Sequence, residues 1–365
     1  MNKIFLEDCC EILDSKRIPI TATDRKEGPY PYYGANGIQD HVSDYIFDDE
    51  LVLLAEDGGN FGSKDRSIAY RVSGKCWVNN HAHVLKAKEG FDIDYLCYSL
   101  MFYNTDGLVN GATRQKLTQS AMRKMLIPNR TINEQRVIVE KMKKIQFIIE
   151  TRTLQLQKLD DLIKARFVEM FEKEGLPIKT IEDMCSQIVD CPHTTPKYEG
   201  ELKNPAIRTS EIKKGYITWD TMRYVSDEEY NERIVRLQPQ AGDIVYGREG
   251  TFGNAAILPK GYNFCLGQRV MLLRPNYSKC TSEYLLYAVI SDDIYRQAKE
   301  KNNASTVAHV NVKDVKSFRI PQPPLEDQKV FSVFVQQVDK SKAVVQKALD
   351  EAQLLFDSLM QQYFG

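Results

Sequence analysis

The chain has no stretch approaching the ~20 consecutive apolar residues that a membrane-spanning helix needs. Its opening, MNKIFLEDCCEILD, sets acids where a signal peptide would carry an apolar run. A cytoplasmic protein without a membrane partner is therefore expected. CxxC pairs are also missing. The eight cysteines are scattered, which reads as free thiols of a reducing compartment. Cys185, Cys191 and His193 alone resemble metal ligands, and three donors without a clear fourth fall short of a closed zinc site. No metal is expected. Nor is there an excess of charge of one sign. With 49 Lys and Arg against 50 Asp and Glu, the net charge is −1, so any contact with nucleic acid must come from a local face. LVNGATRQKLTQSAMRK (108–124) carries Arg114, Lys116, Arg123 and Lys124 and no acid. It suits such a face, and equally a solvated loop and helix surface.

Catalytic motifs are missing as well. No Walker A motif occurs, and the turns EDGGNFG and REGTFG do not follow the GxGxxG-then-helix grammar. There is no Asn/Asp-Pro-Pro-aromatic segment of the kind an amino-methyltransferase needs; the one Pro-Pro is Pro323-Pro324. Glu56 and Asp57 adjoin without the partners of a nuclease cluster. His81 and His83 alternate on an expected strand and so face one side; that could suit a metal, but the other half has no matching pair, so hydrogen bonding at a domain face is favoured.

What the chain does have is a junction written twice. MLIPNRTINEQRV (125–137) and RIPQPPLEDQKV (319–330) superpose Ile127-Pro128 on Ile320-Pro321, Glu134-Gln135 on Asp327-Gln328 and Val137 on Val330. The match continues without a gap to Phe171 on Phe364. Each segment lacks Gly and Pro after its start and predicts one helix of about 40 residues, on the order of 60 Å long. Apolar residues recur at spacings of four and three, a coiled-coil seam. In the first helix the seam runs through Ile138, Met142, Ile145, Ile149, Leu156, Leu159 and Ile163. In the second it runs through Val335, Val338, Val345, Leu349, Phe356 and Leu359. Polar interruptions at Arg152 and Arg166, and at Lys342, are offset, so the helices read as antiparallel partners. Outside the seam lie Ile148, Leu154, Leu162, Phe167, Phe334, Val344 and Leu355, which suit either further partner chains or the chain's own domains.

The repeat extends upstream. DDELVLLAEDGGNFGS (48–63) matches AGDIVYGREGTFGNAA (241–256), each a short apolar strand and a Gly-rich turn. WVNNHAHVLKA matches FCLGQRVMLLRP, and YLCYSL (95–100) matches YLLYAV (284–289), expected short helices. The expected fold is α+β: two globular α/β domains, two long helices forming an antiparallel coiled coil, and a pseudo-two-fold internal repeat. The expected divisions are 1–128, 129–174, 175–321 and 322–365.

In order and in kind these segments resemble the specificity subunits of type I restriction-modification systems, over essentially the whole chain. The resemblance rests on YYGANGIQDHVSDYIFDDELVLLAEDGGNFGS, WVNNHAHVL, GATRQKL and IPNRTINEQRVI. In the second half it rests on IVDCPHTTPKY, AIRTSEIKKGYI, GDIVYGREGTFGNAAIL and IPQPPLEDQKV. It implies a non-catalytic subunit whose two target recognition domains each read one half of a split sequence in double-stranded DNA, with the helices setting the unread gap. The partners it implies are two modification (methyltransferase) subunits and restriction (translocase-nuclease) subunits. S-adenosylmethionine, ATP and Mg would belong to those partners, with no cofactor on this chain. Alternatives are the specificity component of a combined restriction-methylation (type IIB-like) system, and a coiled-coil scaffold that does not read DNA.

Base edges are read by Arg or Lys at guanine and by Asn or Gln at adenine, while phosphates take Lys, Arg, Ser, Thr or backbone N–H groups. Such residues in loops beside glycine, and in the loop fixed by Pro192 and Pro196, are the candidates. In the first half they are Lys64, Arg66, Asn79, Asn80, His81, Arg114, Gln115 and Lys116. In the second they are His193, Thr194, Thr195, Arg248, Thr251, Asn254, Gln268, Arg269, Ser305, Thr306 and His309.

Overall fold

The structure, a computed structural model, describes residues 2–111, 114–199, 203–249, 253–301 and 310–365. The candidates Thr251, Ser305, Thr306 and His309 lie outside the described residues. The chain forms two compact units, Met1–Thr153 with Lys347–Gly365, and Leu154–Gln346. The long helices are thus divided between the units instead of standing as segments of their own.

The first unit is built on six strands in the order Cys10–Ile12, Ala82–Ala87, Phe47–Ala55, Ala69–Val78, Tyr30–Gly34 and Gly37–Val42. Phe47–Ala55 lies between antiparallel neighbours and ends its pairing with Ala82–Ala87 at Ala55↔Ala82. Its run Leu51–Ala55 is wholly buried because both faces are covered. Val52 and Leu54 point to one apolar cluster and Leu51 and Leu53 to another, as the period of two requires.

The second unit repeats this with a four-stranded sheet, Cys185–Asp190, Val270–Pro275, Ile244–Gly247 and Ala255–Ile257. Ile244 and Tyr246 face one cluster and Val245 the other. The central strand ends its pairing at Gly247↔Val270. A three-stranded sheet, Arg223–Val225, Asn204–Ile207 and Cys265–Leu266, is interleaved with it in sequence, and its Ile207 and Leu266 share an apolar cluster with Val245 and Val270.

The expected long helices are Ile132–Phe171 and Leu325–Phe364, 40 residues each. The first opens with a capping box, in which the Thr131 N–H donates to Glu134 Oε2 (2.8 Å) and the Glu134 N–H to Thr131 Oγ1 (3.4 Å). In the first unit Ile138, Met142 and Ile145 are buried in a cluster that includes Phe356, with Ile149, Leu359 and Phe364 packed on it. Lys141 Nζ donates to the Tyr363 hydroxyl (3.3 Å). In the second unit Ile163, Phe167 and Phe171 share a cluster with Phe331, Val335 and Val338. Phe171 packs edge-on to Phe331 at 5.4 Å, and Lys342 Nζ binds Asp160 Oδ1 at 2.6 Å. Within each unit, then, the end of one helix lies against the start of the other, and the helices run antiparallel. Val345 is buried, and Leu156, Leu159 and Leu349 are half-buried. Lys342, a seam interruption, is matched by an acid on the facing helix. Phe167, off the narrow seam, packs on the chain's own domain, one of the two alternatives the sequence leaves open. It is buried against Tyr284 and Phe331, because a helix packed on both a domain and a second helix needs an apolar stripe wider than a two-helix seam. Ile148, Leu154, Leu162, Val344 and Leu355 are exposed, and Phe334 is partly buried.

The doubled junction has a structural reason. Gln135 and Gln328, the Gln of each copy, are fully buried. Gln135 Oε1 accepts from the Asp92 N–H (2.8 Å), and Nε2 donates to Gly90 O (3.2 Å) and Arg130 O (2.9 Å). Gln328 Oε1 accepts from the Thr281 N–H (3.0 Å), and Nε2 donates to Lys279 O (3.0 Å) and Pro323 O (2.9 Å). Asp92 and Thr281 are the N-caps of the short helices Ile93–Met101 and Ser282–Val289. One amide thus ties the start of each long helix to the start of the helix beneath it. Tyr95 and Tyr284 reinforce the tie by donating to the carbonyls of Pro128 and Pro321.

Candidate nucleic-acid interface

In the first unit the candidates His81, Arg114 and Lys116 collect where Phe47–Ala55 and Ala82–Ala87 leave the sheet. Beyond the last pair, Glu56 and Asp57 continue one strand and His81 precedes the other. Asp57 Oδ1 lies 2.5 Å from His81 Nδ1 and 2.9 Å from Arg114 Nη2. Glu56 Oε1 is 3.0 Å from Lys116 Nζ, and Glu56 Oε2 accepts from Arg17 Nη1 at 2.6 Å. Gly58 makes the turn at φ +63°, and a Cβ there would meet the Arg114 guanidinium at 3.2 Å. Side chains of Lys116 and Arg114 stay about half exposed, 49% and 59%, so their heads can reach outward.

Beneath this layer His83 is buried. Its Nδ1 is 2.7 Å from Asp14 Oδ2 and its Nε2 2.9 Å from Leu117 O. Burial pushes the Asp14 carboxyl up, but hydrogen bonding and charge from His83, with the Val84 N–H and Gln119, outweigh it and hold the group below the ordinary range. Burial likewise opposes ionisation of Glu56, and Arg17, Lys116 and His83 overcome it. Asp14, Glu56 and His83 are the one triad among the described residues close enough to share a metal ion. Arg17 at 2.6 Å from Glu56 and 3.6 Å from Asp14 already supplies the positive charge there, so the donor set fits an ion-pair network rather than a metal. His81 makes its hydrogen bond in the turn before the strand, half-buried at the domain face, whereas His83, on the strand, makes both of its hydrogen bonds in the interior instead of at the face.

The second unit carries the counterpart. Beyond Gly247↔Val270, Arg248 and Glu249 continue one strand and Arg269 precedes the other. Arg269 Nε is 3.0 Å from Glu249 Oε2, and Arg248 Nη2 is 3.0 Å from Asp190 Oδ1. Asp57–His81 and Glu249–Arg269 therefore occupy the same register position. Asp190 likewise corresponds to Asp14: Asp190 ends the strand Cys185–Asp190 and Asp14 lies two residues past the strand Cys10–Ile12, each strand following a short helix in LEDCCEILD and IEDMCSQIVD, with a one-residue register shift between Cys185 and Gln187.

The other candidates are placed as follows. Lys64 and Arg66 are exposed in a turn where Ser63 Oγ accepts from the Arg66 N–H (3.0 Å). Asn79 is buried, donates to Gln39 Oε1 (3.0 Å) and accepts from the His81 N–H (2.8 Å), so it shapes the turn. Asn80 and Gln115 are exposed. His193 is 75% exposed and 3.8 Å from Asp190. Thr194 accepts from Arg233 (3.4 Å) and Thr195 Oγ1 from Gln268 Nε2 (2.7 Å), which joins two predicted loops. Asn254 donates to Ile212 O (3.1 Å). Arg248 is 8% exposed and holds the loop instead of presenting itself. Arg17, Asp14, Asp190 and Arg233 were not among the sequence candidates. Matching LEDCCEILD with IEDMCSQIVD finds the two aspartates; no pattern in the sequence points to Arg17 or Arg233.

Comparison with known proteins accords with this geometry. The family model described as Type I restriction modification DNA specificity domain matches residues 1–160 and again 178–353. The chain is 26% identical over 330 residues to a putative type I restriction enzyme specificity subunit of Haemophilus influenzae, covering 88% of this chain and 83% of that protein. It is 20% identical over 388 residues to the type I restriction enzyme MjaVIII specificity subunit of Methanocaldococcus jannaschii, covering 94% and 89%. The fold is similar to the crystal structure of the type I restriction-modification system S subunit from M. genitalium, with TM-score 0.61, 13% identity and coverage of 100% and 96%. It is also similar to a chain from a structure on complex assembly and conformational transition of the type I R-M system, with TM-score 0.53, 17% identity and coverage of 100% and 97%. Both halves of this chain, each with its own strand-end cluster of acids and bases, belong to the type I restriction-modification DNA specificity family.

Proposed function

We propose that the chain is the non-catalytic DNA-reading subunit of a type I complex, each unit reading one half of a split double-stranded target. The observation that carries this is the strand-end couple that recurs in register with different side chains, Asp57–His81 in one unit and Glu249–Arg269 in the other. Equivalent positions with unlike donors suit two unlike half-sites. The long helices set the unread gap on this reading. Seven residues added to both would lengthen it by roughly 10 Å, about three base pairs at 3.4 Å each. Exposed apolar residues on the helices, Val137, Phe147 and Ile148 in the first unit and Leu162, Val333 and Val344 in the second, support docking of two modification subunits. Those subunits supply S-adenosylmethionine-dependent adenine methylation; restriction subunits supply ATP- and Mg-dependent translocation and cleavage, in the cytoplasm.

Mapping adenine methylation across the genome of the source strain, with and without this gene, tests the reading. Loss of one split motif is the expected outcome. Replacing residues 175–321 by another recognition domain then changes one half of that motif. A change in both halves, or in neither, refutes the assignment of one half per unit.

A further inference from the structure

Arg269 is, among the described residues, the non-glycine residue held at positive φ, +63°. The left-handed region is unfavourable for a side chain with a Cβ, and glycine takes it freely. Such strain persists where the surroundings impose it and concentrates at functional sites. Here the backbone is fixed from one side, because the Arg269 carbonyl accepts from the Arg248 N–H (3.0 Å) and Arg248 is itself buried on Asp190. The consequence is that the Arg269 side chain, 63% exposed, stands out from the sheet end while its Nε stays 3.0 Å from Glu249. No described residue binds its Nη1 or Nη2. The open fork is the pair of donors that matches O6 and N7 of guanine.

The carboxylate behind Arg269 separates two roles. An arginine paired with a glutamate has little net charge to attract a phosphate, but its outward N–H groups keep their direction. Lys64 and Arg66 contrast with it, being exposed with no ion pair among the described residues, as phosphate contacts require. In the first unit the same register position holds His81, whose Nδ1 is engaged by Asp57. One ring nitrogen remains there, enough for a single hydrogen bond and not a bidentate pair.

We infer that Arg269, held by Glu249, is the guanine-reading side chain of the second unit. This rests on the reading of the chain as a DNA-specificity subunit. The test uses the complex purified with its modification subunits from the source strain and duplexes carrying each single base-pair change in the methylated motif. Arg269→Lys keeps the charge and loses the fork; Arg269→Gly loses both and relieves the backbone, so it is also the folding control. For both, discrimination at one G·C pair in one half of the motif is expected to fall by about 10- to 100-fold, with the other half unaltered and the melting temperature not lowered. Discrimination kept by Arg269→Lys, a loss spread evenly over all duplexes, or no effect at any G·C pair would overturn the assignment while leaving the subunit a DNA reader. If the wild-type complex shows no sequence preference, the DNA-reading role itself fails.

Discussion

Gln328 offers the sharpest test of why the helix junction is written twice. Its side chain is fully buried and satisfies three backbone groups, the Thr281 N–H and the carbonyls of Lys279 and Pro323. Gln328→Leu keeps the volume and removes all three bonds. Each buried backbone group left without a partner costs about 1–3 kcal/mol, and partial access of water to the loop lowers the sum, so the expected loss is about 3–5 kcal/mol. For a unit of about 150–250 residues that lowers the melting temperature by roughly 10 °C. Hydrogen exchange read by mass spectrometry gives the local result: the Thr281 amide loses protection by at least ~100-fold, since 1.36 kcal/mol is one decade. Gln135→Leu does the same at the Asp92 amide. Gln328→Glu keeps the acceptor for Thr281 but turns a carboxylate toward two carbonyls, so this variant gains stability as the pH falls and the group takes a proton. A loss below ~1 kcal/mol in Gln328→Leu, with Thr281 still protected, would refute the claim that the amide ties the two helices.

Asp14 is held below the ordinary carboxyl range, so its ionised form favours the folded state. That contribution is complete above the ordinary value of 3.8 and is lost as pH falls through the lower folded value. Asp14→Asn should therefore be less stable than wild type by a constant amount from neutral pH down to about 4, with the gap closing below that in denaturant titrations; a gap that widens in acid refutes the sign. Phe147, 68% exposed on the long helix, should tolerate Phe147→Glu within about 0.5 kcal/mol while co-purification with the modification subunits drops; unaltered assembly removes this face from the docking surface. Glu249→Gln takes the counter-charge from Arg269. Affinity for any duplex should rise and the salt slope steepen by about 0.9 while discrimination falls; a uniform loss of affinity would show that Glu249 acts only in folding.

Much of this architecture was legible from repetition. The 3.5-residue seam marked both long helices, and DELVLLA and GDIVYG marked the two central strands, because burial on both faces leaves an unbroken apolar run. The conserved spacing of the junctions was visible too, but not the role of their glutamines, since a Gln is ordinarily a surface residue and its buried partners are backbone groups that carry no residue signature. The correspondence of Asp14 with Asp190 was obscured by one bulged residue. For Phe167 the sequence left two alternatives, a partner chain or the chain's own domain, because a residue beside a narrow seam carries no mark of which surface covers it; the fold gives the second. Of the candidate readers, loop chemistry brought in Asn79 and Arg248 along with the exposed residues, and only the fold separates those that shape a turn from those that stand out of it.

The charge of the chain then becomes intelligible. A net charge of −1 is a poor starting point for a DNA contact if cations are simply counted. At the strand ends, however, most of the cations are met by carboxylates: Arg114 by Asp57, Lys116 by Glu56, Arg248 by Asp190 and Arg269 by Glu249. Acids so placed lower the attraction to any phosphate backbone and fix the direction of the donors that remain. Specificity is a difference between two affinities, and a sequence-independent electrostatic term adds equally to both. On the function proposed above, this general attraction is left to the whole complex, and the subunit keeps for itself a small number of aimed hydrogen bonds whose loss at a wrong base is felt in full.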